Sequence, residues 1–348
     1  MSRRKSKGPI FGKPRKRSKA VTALAWLSVS PFVLVFAMAM VGDRFWITDM
    51  VANFVWPIAL LSVFPLIISA ACRRAVPAML VVLLAASFTV RSTAVARADR
   101  GTEADARVMI FNAYAEGRSN EKTLAMLRET DADLVLLNEC DFPLAQSILA
   151  DAALVARYPH HELPEHENQW ARGVLCVWPL TRLEERDETW QENRFEYLYR
   201  RAQIVQHPTT PFVTGIVHFD SPRSSERWKN GNERMRKDIA LVTGYLAPQG
   251  LPMVIGADLN TPPPGSRSRI FCRELGLRRA KPFVAMAGTW PQSAPAMFRT
   301  PIDDLMMSES VRVVSWETIK TETDSDHVPV LVTIDLPDAT QAPTSQAP

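Results

Sequence analysis

Hydrophobic positions divide this chain into two regimes. Long unbroken runs extend to about residue 90, and short runs alternating with amphipathic stretches follow from Arg107 onward. Residues 21–41 (VTALAWLSVSPFVLVFAMAMV) form an uncharged run of 21, which matches the length needed to cross a bilayer. Residues 51–72 form a second uncharged run, interrupted only by Pro57 and Pro65. Residues 75–90 form a third, shorter run that could extend past Arg91 by snorkelling. Three transmembrane helices are therefore expected within 21–97, the alternative for the third being an interfacial or soluble helix.

The second regime predicts strands at 107–112, 134–138, 174–178, 202–206, 212–218, 253–257, 302–307, 311–316 and 328–334. Helices are predicted at 120–130, 143–153, 231–247 and 266–275, with Gly276 placed to end the last. This alternation indicates an α/β or α+β domain. The expected organisation is a basic tail (1–20), a membrane region (21–97), a linker (98–105), a folded domain (106–336) and a Pro-, Ala- and Thr-rich disordered tail (337–348). There is no internal repeat.

Charge sharpens this division. The formal net charge of +4 comes from 41 Lys and Arg against 37 Asp and Glu. The first 20 residues hold nine basic residues and no acid, and the first 100 hold 15 basic and 3 acidic. Residues 101–348 therefore carry 26 basic and 34 acidic residues, a formal charge of −8. A domain of that sign lacks the global attraction a non-specific nuclease has for polyphosphate, although a local basic patch remains compatible with it.

Charge also orients the membrane region. The basic tail should stay cytoplasmic, the nearly neutral Asp43-Arg44 loop suits the outside, and Arg73-Arg74 suit the inside. A third span then leaves the folded domain outside the plasma (inner) membrane, in a multi-pass protein with an extracytoplasmic domain. A cleaved signal peptide is disfavoured, because further apolar runs follow and no small-x-small site is evident. Cys72, Cys140, Cys176 and Cys272 have no metal-ligand spacing. Buried free thiols are the simplest reading for Cys140 and Cys176, with a disulfide among Cys140, Cys176 and Cys272 as the alternative.

Candidate chemistry lies in short polar islands, most of them following or ending a strand-like run. They are Phe111-Asn112, Leu137-Asn138-Glu139, Val217-His218, Gly256-Ala257-Asp258-Leu259-Asn260, Ile302-Asp303-Asp304 and Ser325-Asp326-His327. Carboxylates with histidines and amides suit a hard cation and a phosphate group. In this order the islands resemble the endonuclease/exonuclease/phosphatase superfamily over roughly residues 106–335. The resemblance implies a four-layer sandwich of two β-sheets flanked by helices, preceded here by the N-terminal transmembrane helical region. It further implies a metal-dependent phosphoric ester hydrolase using Mg²⁺, with Mn²⁺ as an alternative.

Carried over residue by residue, the resemblance makes Glu139 the principal metal ligand, with Asp326 and Asp258 as further ligands. Asn138 stands where the family usually has Gln, and Tyr114 where it often has another polar residue. His327, oriented by Asp303, would act as general base or phosphate clamp. Asp258 would orient the attacking water, and Asn260 would donate to the scissile phosphate. These two share one side of an extended segment, and Asn260 also fits an Asx-turn. Asn112 would orient a carboxylate or contact phosphate, and His218 would contact the phosphate unless it is a core histidine. Asn112, Asn260, Trp290 and Arg172 are the substrate-binding candidates, and the stretch Arg223–Lys229 is a candidate lip. Asp304 should face the other way.

The leading expectation is a membrane-anchored, Mg²⁺-dependent phosphoesterase acting on phosphate esters or lipid-linked phosphates at the outer face of the membrane. Its partners would be the lipid bilayer and a phosphate-ester substrate, with nucleic acid less favoured. The alternatives are an extracytoplasmic DNA or RNA endonuclease and a catalytically silent membrane scaffold.

Overall fold

The computed structural model describes residues 18–42, 44–52, 61–72, 80, 82, 104–114, 119–166, 171–183, 202–263, 265–282, 285 and 287–338. The basic tail up to residue 17, almost all of the third apolar run, most of the linker and the tail beyond 338 lie outside these residues. Helix α1 (Lys19–Met40) takes up the first apolar run, as expected. It alone among the described residues is long and apolar enough to cross a membrane. Leu24, Leu27 and Leu34 are exposed on it. The second run is met only in part, by the end of α2 (Trp46–Ala52) and by α3 (Val63–Ala71), with 53–60 outside the described residues.

The domain then runs β1 (Ala106–Asn112), α4 (Glu121–Glu129), β2 (Leu134–Cys140), α5 (Phe142–Ala150), α6 (Ala152–Arg157), β3 (His160–Glu162) and β4 (Ala171–Cys176). It continues through β5 (Leu180–Arg182), β6 (Gln203–Val205), β7 (Phe212–His218), α7 (Ser225–Leu241), β8 (Met253–Asp258) and α8 (Ser266–Leu275). It closes with β9 (Leu277–Arg279), β10 (Asp303–Ser308), β11 (Arg312–Thr318) and β12 (Val330–Asp335). The strands form two six-stranded sheets, in the orders β11-β12-β1-β2-β4-β3 and β5-β6-β7-β8-β10-β9.

The four-layer sandwich follows from residue alternation. On β1, Val108 and Ile110 point into the layer between the sheets, where they join Leu136, Ile216, Val254 and Leu305. Met109 and Phe111 point the other way, onto Met126, Leu127, Leu144 and Ile148 of the helices. Val213, Val217 and Ile255 of the second sheet pack outward on Met235 of α7 and Phe271 of α8. Because both faces of the central strands are covered, those strands read in the sequence as unbroken apolar runs.

The sheets pack tightly at Gly256, where a Cβ would stand 2.8 Å from both Ile110 Cδ1 and Leu136 Cδ1. Gly256→Val should therefore overpack the inter-sheet layer and cost about 1–3 kcal/mol. Thermal unfolding should show it as a melting temperature lower by roughly 2–4 °C per kcal/mol.

Several expected boundaries shift for identifiable reasons. The predicted helix 143–153 splits, because Asp151 turns to β geometry and its carboxylate accepts from Ala153 N and Leu154 N at 3.0 and 3.1 Å, starting α6. The predicted helix 231–247 begins earlier, at Ser225, where Ser224 Oγ accepts from Arg227 N. Its end passes into a π turn at Val242–Leu246. Helix α8 ends at Gly276 as predicted, in the left-handed region at φ 62°. All four cysteines are free.

Candidate active site

Strand register builds the site. In the second sheet His218, Asp258 and Asp303 are consecutive cross-strand partners on β7, β8 and β10, one row at the strand ends. In the first sheet Asn112 pairs with Asn138, which puts Asn112 beside the turn that carries Glu139. Both sheets therefore end in polar residues along one edge of the sandwich, as expected for strands whose apolar parts fill the core.

Asn112 joins the two sheets. Its Nδ2 donates to Glu139 Oε1 at 2.9 Å and to Asp258 Oδ2 at 3.0 Å. With the residue buried, this amide orients carboxylates and stays out of the pocket lining. Glu139 Oε1 lies 3.4 Å from His218 Nε2, and Asp258 Oδ2 lies 3.7 Å from it. Asn260 donates its backbone N–H to Asp258 Oδ1 (2.8 Å), and its Nδ2 bonds Phe219 O (2.9 Å) and His218 Nε2 (3.3 Å). The Asx-turn here is made by Asp258, not by Asn260 as expected, because residue 262 is proline and offers no N–H to an Asn260 side chain.

Two residues here hold left-handed backbone conformations without being glycine: Glu139 (φ 50°) and Asn260 (φ 49°). Each such conformation costs on the order of 1–3 kcal/mol and persists only where the surrounding structure over-determines it. At Glu139 it coincides with the irregularity between Leu137 and Cys140 in the pairing of β2 with β4. Neighbouring Asn138 is fully buried, and its amide has no hydrogen-bond partner among the described residues.

His327 stands on the loop before β12. Its Nδ1 meets Asp303 Oδ2 at 2.8 Å, both side chains being buried. Ser325 Oγ fixes the loop, donating to Asn112 O at 2.7 Å and accepting from His327 N at 3.0 Å. Asp304 faces away as expected, holding Arg279 Nε and Lys281 N at 3.0 Å each and Trp316 Nε1 at 3.1 Å.

The electrostatics separate the titrating groups. Burial, then the Asp303 charge, raises Asp258 to about 7. Burial also raises Glu139 above its ordinary value, opposed by the Asn112 hydrogen bond. Burial and then the Arg172 charge hold His218 well below its ordinary value, so it is neutral. Burial alone would depress His327 too, but the Asp303 carboxylate outweighs it and leaves His327 raised to about 9.

Glu139, His218, Asp258, Asn260 and His327 line one pocket of about 510 Å³, together with Arg223, Arg227, Trp290 and Asp326. Ligand atoms of Glu139, His218 and Asp258 lie within 4.8 Å of one another, as do those of Asp258, Asp303 and His327. Carboxylate oxygens with one imidazole can hold a divalent metal ion, and the buried Asp303 Oδ1 has no hydrogen-bond partner among the described residues. The donor set thus fits a divalent cation.

Two expected roles look different in place. Asp326 belongs to neither cluster. Its Oδ2 accepts from Trp290 Nε1 at 2.8 Å, and its Oδ1 lies 3.8 Å from His327 Nε2. Arg172 is buried in β4 and does not line the pocket. Trp290 does line it, with the Arg223 guanidinium 5.7 Å above its ring. The sequence reading missed Asp220, Ser221, Pro222, Thr300 and Met50 as pocket residues, and Thr289, whose hydroxyl accepts from Asp303 N at 3.2 Å. None has a signal of its own, since each is brought in by a neighbouring element.

Comparison with known proteins gives the same answer at the level of family. A search of curated proteins returned no match. Among solved structures, an endonuclease/exonuclease/phosphatase from Beutenbergia cavernae DSM 12333 is 19% identical, over 70% of this chain and 74% of that one, with a TM-score of 0.48. A mannosyl-6-phosphatase from Bacteroides thetaiotaomicron VPI-5482 is 16% identical, over 66% and 100%, with a TM-score of 0.46. Sphingomyelinase C from Streptomyces griseocarneus is 13% identical, over 67% and 99%, with a TM-score of 0.47. Likeness at this level says nothing of substrate. The family profile does more: it matches residues 109–327, more than half the chain, and the chain belongs to the Endonuclease/Exonuclease/phosphatase family of phosphate-ester hydrolases.

Proposed function

We propose that this protein is a membrane-anchored, Mg²⁺-dependent phosphoesterase, acting on phosphate esters or lipid-linked phosphates at the outer face of the membrane. The observation that carries the chemistry is the row His218–Asp258–Asp303 facing Glu139, with His327 held on Asp303 at 2.8 Å.

Glu139 and Asp258 would hold the cation, beside His218. When bound, it neutralises phosphoryl charge and positions water for in-line attack. Asp258, at the centre of the row between His218 and Asp303, would be the proton acceptor for that water. Neutral His218 and the Asn260 amide bind the equatorial oxygens. His327 is protonated at neutral pH with Nδ1 on Asp303, so its Nε2 donates to a phosphoryl or leaving oxygen. That favours the clamp over the general base among its two expected roles.

Location rests on different observations. The segment just after α1 packs on the folded domain, with Trp228 Nε1 donating to Asp49 Oδ2 at 2.9 Å. Both therefore lie on the same side of any bilayer that α1 crosses. The nine basic residues in the first 20 positions favour the other side being cytoplasmic. A tethered site meets lipid head groups at high effective concentration, and the −8 charge of residues 101–348 disfavours long polyanions.

The second reading, an extracytoplasmic nuclease, is favoured by Arg223 and Arg227 in the pocket lining. Full-length protein in detergent, with Mg²⁺ or Mn²⁺, should be offered a phospholipid or polyprenyl phosphate, a simple diester, and single- and double-stranded DNA. Turnover of the lipid phosphate, lost in Glu139→Ala and His327→Ala, is the expected result. Preferential DNA cleavage lost in the same variants would move the assignment to the nuclease.

Metal affinity should depend on pH with a defined sign. The cation needs ionised carboxylates, and Asp258 is raised to about 7. Affinity should therefore climb by up to about tenfold per pH unit as pH rises toward 7, then level off. Titration calorimetry with Mn²⁺ would read this directly, and Asp258→Asn should flatten the profile.

A further inference from the structure

The helical region before the folded domain reaches the active site. Asp49 of α2 is buried and accepts two hydrogen bonds from the folded domain: Trp228 Nε1 on α7 at 2.9 Å and the backbone N–H of Ser266 at 3.1 Å. Ser266 is the first residue of α8, whose N-cap is Gly265 and has no side chain to cap with. A capping side chain cannot be grown there, because a Cβ at Gly265 would fall 1.8 Å from Thr261 Oγ1. The carboxylate of Asp49, distant in sequence, supplies the missing acceptor at the positive end of that helix.

The contact is tied to the pocket wall. Arg267, the next residue of α8, is fully buried and donates to the carbonyls of Asp220 and Trp228 and to Asn232 Oδ1. Asp220 lines the pocket, as do Ser221, Pro222 and Arg223 after it. Met50, the residue after Asp49, lines the same pocket as Glu139 and His327. Phe45 and Ile47, by contrast, are 59% and 46% exposed, so α2 and the residue before it present apolar side chains to the outside as well. The helix thus has one apolar residue, Met50, in the pocket and another, Ile47, facing away.

We infer that α2 is a wall of the active site, pinned by Asp49, and that Met50 selects a phosphate ester carrying an apolar chain. This rests on the phosphoesterase reading and names its substrate class: an amphiphile whose phosphate lies at Glu139 and Asp258 and whose chain leaves past Met50. Asp49 is a positioning residue, and Met50 is the specificity contact. A freely soluble, wholly polar ester would fill the phosphate site and leave the apolar wall unused.

The test uses full-length protein in detergent micelles and two diesters with the same reacting phosphate and leaving group, methyl and hexadecyl p-nitrophenyl phosphate. Wild type should prefer the hexadecyl ester. In Met50→Gln and Asp49→Ala the hexadecyl-to-methyl preference should fall by about tenfold, as a rise in KM for the hexadecyl ester. Hydrogen exchange gives a readout independent of turnover: residues 46–52 should be protected in wild type and exchange faster in Asp49→Ala. Equal exchange in the two proteins overturns the docked helix. An unchanged preference in both variants, with docking intact, overturns Met50 as the selector. Hydrolysis of neither ester by wild type, with α2 protected, overturns the phosphoesterase reading and the substrate class with it, while supporting the dock.

Discussion

Glu139→Gln is expected to cut turnover by about 10³-fold and, in metal-free buffer, to stabilise the protein. The first effect follows because the variant keeps the shape and the Asn112 hydrogen bond but loses the charge that would hold the cation. The second follows from burial. The folded-state pKa of Glu139 lies above its ordinary value of 4.5, mainly by desolvation. A carboxyl raised in this way favours the fold while protonated, and that contribution is lost as pH rises through its pKa. Wherever it is ionised, the half-buried carboxylate therefore opposes folding, and the neutral amide removes the penalty. A higher melting temperature than wild type is expected by scanning fluorimetry in EDTA. With saturating Mg²⁺ the order should reverse, since only the wild type gains binding energy. A variant less stable than wild type in EDTA would contradict this account of Glu139.

His327→Ala and Asp303→Asn should each lower kcat by about 10³–10⁴-fold. For His327→Ala the donor itself is gone. In Asp303→Asn the imidazole stays, but the carboxylate that raises it to about 9 is removed. Burial then acts unopposed and His327 becomes neutral at pH 7. The asparagine variant should therefore recover activity as pH falls, where wild type should not, and a kcat profile against pH reads this. The pair also bears on stability. Because His327 is raised above 6.5, its contribution is complete below 6.5 and is lost as pH rises through about 9. The loss of stability over that window should be absent in His327→Ala.

How much of this was legible in the sequence depends on how locally each feature is determined. Strand β7 and helix α8 match their predicted bounds, because an apolar run ending at His218 and a helix ending at Gly276 are local signals. The three-residue strands β3, β5 and β9 were missed, whereas β6, equally short, lay inside the predicted 202–206. The order of polar islands carried the family, and the register of β7, β8 and β10 brings His218, Asp258 and Asp303 side by side. That Asn112 would bridge the two sheets could not be read, because its second bond spans 146 residues. The resemblance implied Asp326 as a ligand, but its carboxylate accepts from Trp290 Nε1. Met50 and Asp49 fell inside the expected membrane region, with no role of their own. Their contacts lie on α7 and α8, and no pattern in residues 43–52 points there.

The central claim is that water attacks phosphorus at this site, using Glu139 and His327. Hydrolysis in ¹⁸O-labelled water tests it most directly, with full-length protein, a divalent cation and a phosphate ester, followed by mass spectrometry of both products. The account predicts one solvent oxygen in the phosphate-bearing product per turnover, none in the alcohol, and loss of the reaction in Glu139→Gln and His327→Ala. Label in the alcohol, or incorporation that survives both substitutions, would contradict it.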